Sequence, residues 1–227
     1  MIKAIRNNIP NAITSLNLLF GCMACIAALT PSCLVGNYRI AAAWIALSAV
    51  ADFFDGLVAR LLHAVSGIGK ELDSLAELVS FGLAPALILY SMIMHVDDLL
   101  AVFALMLPVF GALRLARFNT DTTQSTTFTG LPIPANAIFW IGCTDWDAMH
   151  HVPLWIVLVL IVALSLLMVC PLRMFSLKMH NLSSLKQNWA QYLLIVASVA
   201  FVVLMGLPGL ALAIALYVLL SIIKREK

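Results

Sequence analysis

The sequence predicts an all-α polytopic membrane protein, a helix bundle with about eight transmembrane helices. Of its 227 residues, 63% are hydrophobic and 11% are charged, whereas an ordinary soluble domain carries about 25% charged residues. The mean hydropathy is +1.04, and the apolar residues form continuous runs instead of the alternating pattern of membrane strands. This composition excludes a cytosolic enzyme and a disordered protein. The net charge of only +2 indicates no nucleic-acid partner.

The apolar runs define the expected spans. A helix crosses the hydrocarbon layer in about 20 apolar residues, and the chain contains eight candidates, at 12–30, 39–62, 72–94, 99–118, 132–144, 152–170, 189–206 and 208–223. Turn-forming residues separate them at 31–32, 120–130, 171 and 207–209. We see no internal repeat, so residues 1–227 are expected to form one membrane domain.

The fifth run, 132–144, decides the topology. It is short and contains Pro132 and Pro134, so it could be a re-entrant segment. The positive-inside rule favours a true span, because eight spans with a cytosolic N-terminus place 12 of the 13 basic residues on the cytosolic side. Both termini are therefore predicted to be cytosolic. The outer loops then contain His95, Asp97, Asp98, Asp145, Asp147, His150 and His151, which we interpret as solvated loop residues.

Four of the 11 acidic residues lie near the cytosolic ends of the second and third spans. An ionisable group inside a span costs at least about 2.5–3.5 kcal/mol, so these acids need partners or a function. Asp52 and Asp55 share one helix face, as do Asp73 and Glu77. A short connection makes the two helices antiparallel neighbours, so the four carboxylates should converge. Two divalent cations would balance the charges, and oxygen ligands suit Mg²⁺ or Mn²⁺.

The residues beside these acids suit a phosphate-bearing ligand. Two metals about 3.5–4 Å apart form a site for phosphoryl displacement. Gly56 and Ala59 leave room next to the acids, and Arg60 supplies a cation for phosphate oxygens. The sequence therefore predicts a phosphotransfer site within residues 52–77.

This region resembles the CDP-alcohol phosphotransferase family. Residues 52–77 read D-x2-D-G-x2-A-R-x8-G-x3-D-x3-E, and the family signature differs only at its last fixed position, where it has Asp and this chain has Glu77. Further stretches are similar to the integral-membrane phosphatidylserine synthase branch of the family, namely 9–17, 71–85, 114–119 and 130–137.

The resemblance implies a reaction and a set of residues. A serine hydroxyl would attack the β-phosphorus of CDP-diacylglycerol, so that CMP leaves and phosphatidylserine forms. Asp52, Asp55 and Asp73 would bind two divalent cations, while Glu77 would bind metal and accept the proton of L-serine. The nucleotide would lie against Thr14, Asn17, Asp55, Gly56, Ala59, Arg60 and Gly69. The resemblance further implies a homodimer among the lipids of a prokaryotic cytoplasmic membrane, with the active site facing the cytosol.

Several of these residues have a second interpretation. Thr14 and Asn17 face one side of the first helix and could form helix–helix hydrogen bonds instead. Arg114 and Arg117 would bind the serine carboxylate or a lipid phosphate, or they could anchor the fourth span at the interface. Glu77 reaches about 1.3 Å further than Asp, and a misplacement of about 1 Å can lower a rate on the order of 10²-fold.

Three alternative functions remain open. The acceptor could be glycerol 3-phosphate or an inositol phosphate, although the pair Arg114 and Arg117 suits a small zwitterion better. A divalent-cation transporter would need acids in the outer half of the spans, and none occurs there. Glu77 is also compatible with an inactive relative. Outside the site, we expect Lys178 and Lys186 to contact lipid headgroups and His63 and His180 to lie at the interface.

Overall fold

A computed structural model describes residues 2–30, 37–64, 66–120, 128–175 and 185–224. The chain forms two compact units, Met1–Ala112 and Leu113–Lys227. Lys178 and His180 lie outside the described residues, as does the side chain of Lys186, so the expectations for these three residues stay predictions.

The first unit consists of helices with short connections. Its elements are α1 (Ile2–Leu29), α2 (Asn37–Leu61), α3 (Gly67–Glu77), a π-helical segment (Leu78–Leu83), α4 (Ala84–Met94), α5 (Asp98–Ala101), a 3₁₀ segment (Val102–Leu105) and the start of α6 (Met106–Thr120). The side chain of Ser66 accepts a hydrogen bond from the Gly69 amide and so caps α3. The carboxylate of Asp97 caps α5 in the same way.

Small residues allow the helices of the first unit to pack closely. Helix α1 packs against α2, α3 and α4, and Ala24, Ala41 and Ala76 are fully buried. Gly21 of α1 faces Ser80, and an added Cβ there would overlap the serine side chain and backbone. Helix association in lipid depends on such close approach, because lipid tails are as apolar as the helices themselves.

The second unit contains the end of α6 and four further helices, α7 (Ile133–His150), α8 (Leu154–Val169), α9 (Leu185–Met205) and α10 (Pro208–Ile223). Helix α10 packs against both α7 and α9. The two-residue strands β1 (Phe128–Thr129) and β2 (Arg173–Met174) pair antiparallel, with Thr129 opposite Arg173. This pair was not predicted, because two residues are too few to give an alternating pattern.

The eight expected spans all correspond to helical segments of the described chain. Within the described ranges, five continuous helices are long and apolar enough to cross a membrane, and α8 and α10 are shorter apolar helices. The protein is therefore a polytopic membrane helix bundle, as predicted. Helix α1 begins about ten residues before the expected start of the first span, and it continues through Pro10.

The prediction that Asp145, Asp147 and His150 lie in an outer loop is wrong. Helix α7 runs through all three and ends only at His150. Pro134 lies in the first turn of α7. Backbone N–H groups in the first turn have no partner within the helix, so the missing N–H of proline removes no helical hydrogen bond. At the other end, the Asp147 carboxylate accepts a hydrogen bond from the Val152 amide at 2.7 Å. These features begin and end the helix, so it is longer than its apolar run.

Candidate active site

Three carboxylates converge in the first unit. Asp52 and Asp55 lie one turn apart on α2, Asp73 lies on α3, and one carboxylate oxygen from each lies within 4.8 Å of the others. Asp55 is only 5% exposed, whereas Asp52 and Asp73 are half-buried. The sequence-based expectation that these three residues come together is therefore met by the geometry.

The three acids suit a divalent cation. Asp55 Oδ2 is buried and has no hydrogen-bond partner among the described residues. A buried carboxylate oxygen is unfavourable unless it gains a hydrogen bond or a cation. The donor set consists of oxygens, which Mg²⁺ and Mn²⁺ prefer. Asp52, Asp55 and Asp73 therefore fit a metal of this kind.

Glu77 lies one turn after Asp73 on the same helix and is half-buried. Its carboxylate is not part of the group of three, but it is close enough for its charge to act on Asp52. Glu77 is also the last residue of α3 before the π-helical segment. The wider turn of that segment lies immediately beyond the residue at which the chain departs from the family signature.

Helix α1 joins the two acidic helices. It packs on both α2 and α3, whereas direct contact between α2 and α3 is slight. Asn17 is fully buried, and its Nδ2 donates to Asp52 Oδ1 at 3.0 Å. The hydroxyl of Thr14 donates to the Pro10 carbonyl at 3.1 Å and lies within reach of the Asp55 carboxylate. The acids are thus held through α1, and not by the antiparallel pairing of α2 and α3 that we expected.

The residues expected around the nucleotide differ in how much open space lies beside them. A Cβ added to Gly56 would meet no atom within 4 Å, so there is open space beside Asp55. Ala59 is half-buried and Arg60 is exposed in the last turn of α2. Gly69 instead lies in a tight position, where an added Cβ would come within 3.0 Å of Asn11 Oδ1. Packing against α1 therefore already explains a glycine at position 69.

Arg114 and Arg117 line a pocket of about 550 Å³ in the second unit. Arg114 is buried, at 8% exposure, and Arg117 is exposed. Arg117 Nη1 donates to the Val169 carbonyl at the end of α8, at 3.0 Å. The remaining lining residues are Phe118, Thr120, Thr129, Met168, Val169, Cys170 and Pro171. Among the described residues, the lining contains two cations and no acid, which suits an anionic group.

Two buried serines near the acids were missed by reasoning from the sequence. Ser48 and Ser80 are both fully buried, and both donate to the main-chain carbonyl of Asn17, at 3.2 Å and 3.1 Å respectively. Ser80 also donates to Asn17 Oδ1 at 2.8 Å. Their position could have indicated them, because Ser48 precedes Asp52 by one helical turn and Ser80 follows Glu77 by three residues.

Comparison with known proteins points to one family. The model of the CDP-alcohol phosphatidyltransferase family matches residues 7–144. A CDP-diacylglycerol–serine O-phosphatidyltransferase of Helicobacter pylori is 33% identical over 225 residues, which cover 95% of this chain and 90% of the relative. Proteins with the same name from Bacillus subtilis and Methanocaldococcus jannaschii are 40% and 38% identical, over 56% and 59% of this chain and 70% and 59% of their own length.

Proposed function

Because the chain belongs to the CDP-alcohol phosphatidyltransferase family, we propose that it transfers the phosphatidyl group of CDP-diacylglycerol to L-serine. The products are phosphatidylserine and CMP, and the protein acts in phospholipid biosynthesis. The relatives named CDP-diacylglycerol–serine O-phosphatidyltransferase support the choice of serine. The observation that carries the proposal is the convergence of Asp52, Asp55 and Asp73 at their positions in the family signature.

Two divalent cations, Mg²⁺ or Mn²⁺, complete the proposed site. Asp52, Asp55, Asp73 and Glu77 would hold them, with the buried and unpartnered Asp55 Oδ2 as a ligand oxygen. When bound, the cations supply positive charge that stabilises the diphosphate and the departing CMP. Without this charge, four carboxylates so close together would repel one another.

Glu77 acts as the general base in this proposal. The hydroxyl oxygen of serine forms a new bond to the β-phosphorus of CDP-diacylglycerol, and the bond from that phosphorus to the CMP oxygen breaks. The serine proton passes to the carboxylate of Glu77 and then to solvent, while CMP keeps the bonding electrons. Glu77 suits this role because it lies beside the three clustered acids without belonging to their group.

The nucleotide end of the substrate lies against α1 and α2 in this proposal. The space beside Gly56 admits the cytidine diphosphate, with Ala59 along its edge and the exposed Arg60 available to the phosphate oxygens. Thr14, Asn17 and Asp55 form the buried wall next to it. Gly69 has no side chain, and this allows α3 to lie close to α1.

The pocket around Arg114 and Arg117 binds an anionic group of a substrate in this proposal. Serine carries a carboxylate and CDP-diacylglycerol carries phosphates, and guanidinium groups bind both in a bidentate manner. The two arginines in the described lining of this pocket support the assignment.

We further propose a homodimer in a prokaryotic cytoplasmic membrane, with both termini and the active site on the cytosolic side. The distribution of basic residues along the sequence supports this orientation. Cysteine accessibility at positions 39 and 60 in intact cells would test it, in a variant whose five native cysteines are replaced. Arg39→Cys should then react with an impermeant reagent from outside, and Arg60→Cys should not.

The test of the reaction is a competition between acceptors. Purified protein in mixed micelles would receive CDP-diacylglycerol, Mn²⁺ or Mg²⁺, and labelled serine, glycerol 3-phosphate or an inositol phosphate. We expect one CMP per labelled phosphatidylserine, and at least about tenfold less product with either phosphorylated acceptor. Preferred use of a phosphorylated acceptor would overturn the assignment of serine, and no CMP with any acceptor would overturn the enzyme.

A further inference from the structure

A chain of buried hydrogen bonds runs from Ser80 through Asn17 to Asp52. Ser80 Oγ donates to Asn17 Oδ1 at 2.8 Å, and Asn17 Nδ2 donates to Asp52 Oδ1 at 3.0 Å. Ser80 and Asn17 are both fully buried. Both hydrogen bonds form while the Asp52 carboxylate is ionised, because an ionised carboxylate only accepts and the amide nitrogen of Asn17 only donates.

The hydroxyl of Ser80 fixes which way the Asn17 amide points. If the amide were turned over, its oxygen would face the acceptor Asp52, and its NH₂ group would face Ser80. With Ser80 in place, the amide oxygen has a donor at 2.8 Å and the NH₂ group is left for the carboxylate. An orientation satisfied at both ends is favoured over one that sets two acceptors against each other.

The backbone around Ser80 is built for this contact. Ser80 is the third residue of the π-helical segment Leu78–Leu83, and π-helical turns inside α-helices are often associated with functional sites. On the opposing helix, Gly21 follows Asn17 by one turn and has no side chain to keep Ser80 away. Both features bring the serine hydroxyl within reach of the amide.

We propose that Ser80 is a positioning residue for the metal site. By holding the Asn17 amide, it directs a hydrogen bond to Asp52 Oδ1, which fixes the carboxylate so that its other oxygen faces the neighbouring acids. Ser80 itself touches neither metal nor substrate. This inference rests on the metal site of the proposed function. Hydrogen-bond partners of ligating side chains typically affect metal affinity about 10–100-fold.

Ser48 provides a matched control for the test. It is also a fully buried serine that donates to the Asn17 main-chain carbonyl, and this hydrogen bond does not involve the amide side chain. Ser48→Ala and Ser80→Ala each remove one hydroxyl that donates to the same carbonyl, and the single proton of Ser80 is shared between that carbonyl and Asn17 Oδ1. They differ in the bond to Asn17 Oδ1.

The experiment measures Mn²⁺ binding to the full-length protein in detergent micelles by electron paramagnetic resonance. We expect Ser80→Ala to weaken Mn²⁺ binding about tenfold, the lower end of the range for direct partners of metal ligands because Ser80 acts through Asn17, and Ser48→Ala to change it less than about threefold. Ser80→Cys, which keeps the size of the side chain but replaces the hydroxyl by a weak donor, should also weaken Mn²⁺ binding and gives a second reading if the alanine variant is poorly folded. Thermal unfolding without metal should differ little between the Ser48 and Ser80 variants.

A double-substitution cycle tests the route through Asn17. In an Asn17→Ala background, Ser80→Ala should cause no further loss of Mn²⁺ affinity, because the group it positions is already gone. An equal effect of Ser48→Ala and Ser80→Ala, or an additive loss in the Asn17→Ala background, overturns the positioning role. The proposed function fails separately: a wild-type protein without Mn²⁺ binding overturns both claims, whereas Mn²⁺ binding without serine transfer overturns only the reaction.

Discussion

At the scale of single residues, the buried Asp55 connects stability with activity. Its Oδ2 is buried and lacks a hydrogen-bond partner within the described part of the chain, which destabilises a protein without metal. Active sites often retain such groups because the function needs them. This oxygen, which destabilises the metal-free protein, is then available to bind a cation.

We therefore expect Asp55→Asn to separate the two properties. Turnover should fall on the order of 10²–10³-fold, because one charge that fixes the reacting groups is gone. The thermal midpoint without metal should stay equal or rise, and the added stability on Mn²⁺ binding should be lost. Glu71→Gln is the control, since Glu71 is an exposed acid on the same helix as Asp73, and it should leave both properties unchanged.

Glu77 is the residue at which the chain departs from the family signature. A general base typically contributes about 10²–10⁴-fold to a rate, and this is the role that we propose for Glu77. We expect Glu77→Gln to lower turnover by at least about 10²-fold, because an amide cannot accept the proton. Glu77→Asp should keep turnover within about tenfold of wild type in a CMP-release assay. A rate increase with Asp would show that the longer side chain is misplaced, and equal rates for Gln and wild type would contradict the base.

Arg117 offers a test of substrate binding that is separate from the acids. In the part of the chain that the structure describes, the pocket that it lines contains no acidic residue, so loss of the cation should weaken binding of an anionic substrate group. We expect Arg117→Ala to raise the KM for serine about tenfold with little change in kcat, as for an interaction made equally in the ground and transition states. Arg173→Ala, at another exposed arginine of the second unit, is the control. An unchanged serine KM in both Arg114→Ala and Arg117→Ala would contradict the carboxylate role.

At the scale of elements, local patterns predicted the helices and tertiary contacts determined their details. Continuous apolar runs were sufficient for the eight helical segments, because lipid forces the backbone to satisfy its own hydrogen bonds. The ends were harder to place. Helix α7 continues through Asp145 and Asp147, where hydropathy alone suggests a loop and where the carboxylate of Asp147 closes the next turn.

The role of α1 shows why part of the site could not be predicted. The signature lies on α2 and α3, and sequence spacing correctly indicated that three of its four acids converge. Spacing does not reveal that α1 lies against both helices, since that is decided by packing of residues distant in sequence. Asn17 was noted as a polar residue in an apolar helix, but its two partners, Asp52 and Ser80, follow only from the tertiary structure.

Two glycines allow the packing of one connection to be tested. Gly130 and Gly206 both have positive φ, at 76° and 72°. An added Cβ at Gly130 would overlap the main chain of Met168, whereas at Gly206 it would meet nothing within 4 Å. Gly206→Ala should thus lower the free energy of unfolding by about 1–2 kcal/mol from backbone strain alone.

We expect Gly130→Ala to cost more than Gly206→Ala, because the overlap with the end of α8 adds to the same backbone strain. The Gly130 amide also donates to the Leu172 carbonyl at 2.8 Å, so the turn has little freedom to move away. Thermal unfolding in detergent micelles is the measurement. Equal losses for the two variants would show that the approach of Gly130 to Met168 is not tight in the folded protein.

At the scale of the whole molecule, the shortage of charged residues is itself informative. The chain has only 11 acids in 227 residues. Three of them place a carboxylate oxygen within 4.8 Å of one another, so a large share of the negative charge lies in one place. A membrane protein can keep such a group only with compensation or at a hydrated boundary. The composition thus predicts both the membrane location and the position of the site.

We propose that these carboxylates bind divalent cations and that phosphatidyl transfer to serine requires the bound cations. The most direct measurement follows CMP and labelled phosphatidylserine together while Mn²⁺ is titrated into chelator-treated protein. We predict that neither product forms without metal, and that both then rise in a one-to-one ratio along one saturable curve, which Asp55→Asn abolishes. Full turnover after chelation would contradict the requirement for a metal, and CMP release without labelled phosphatidylserine would contradict transfer to serine.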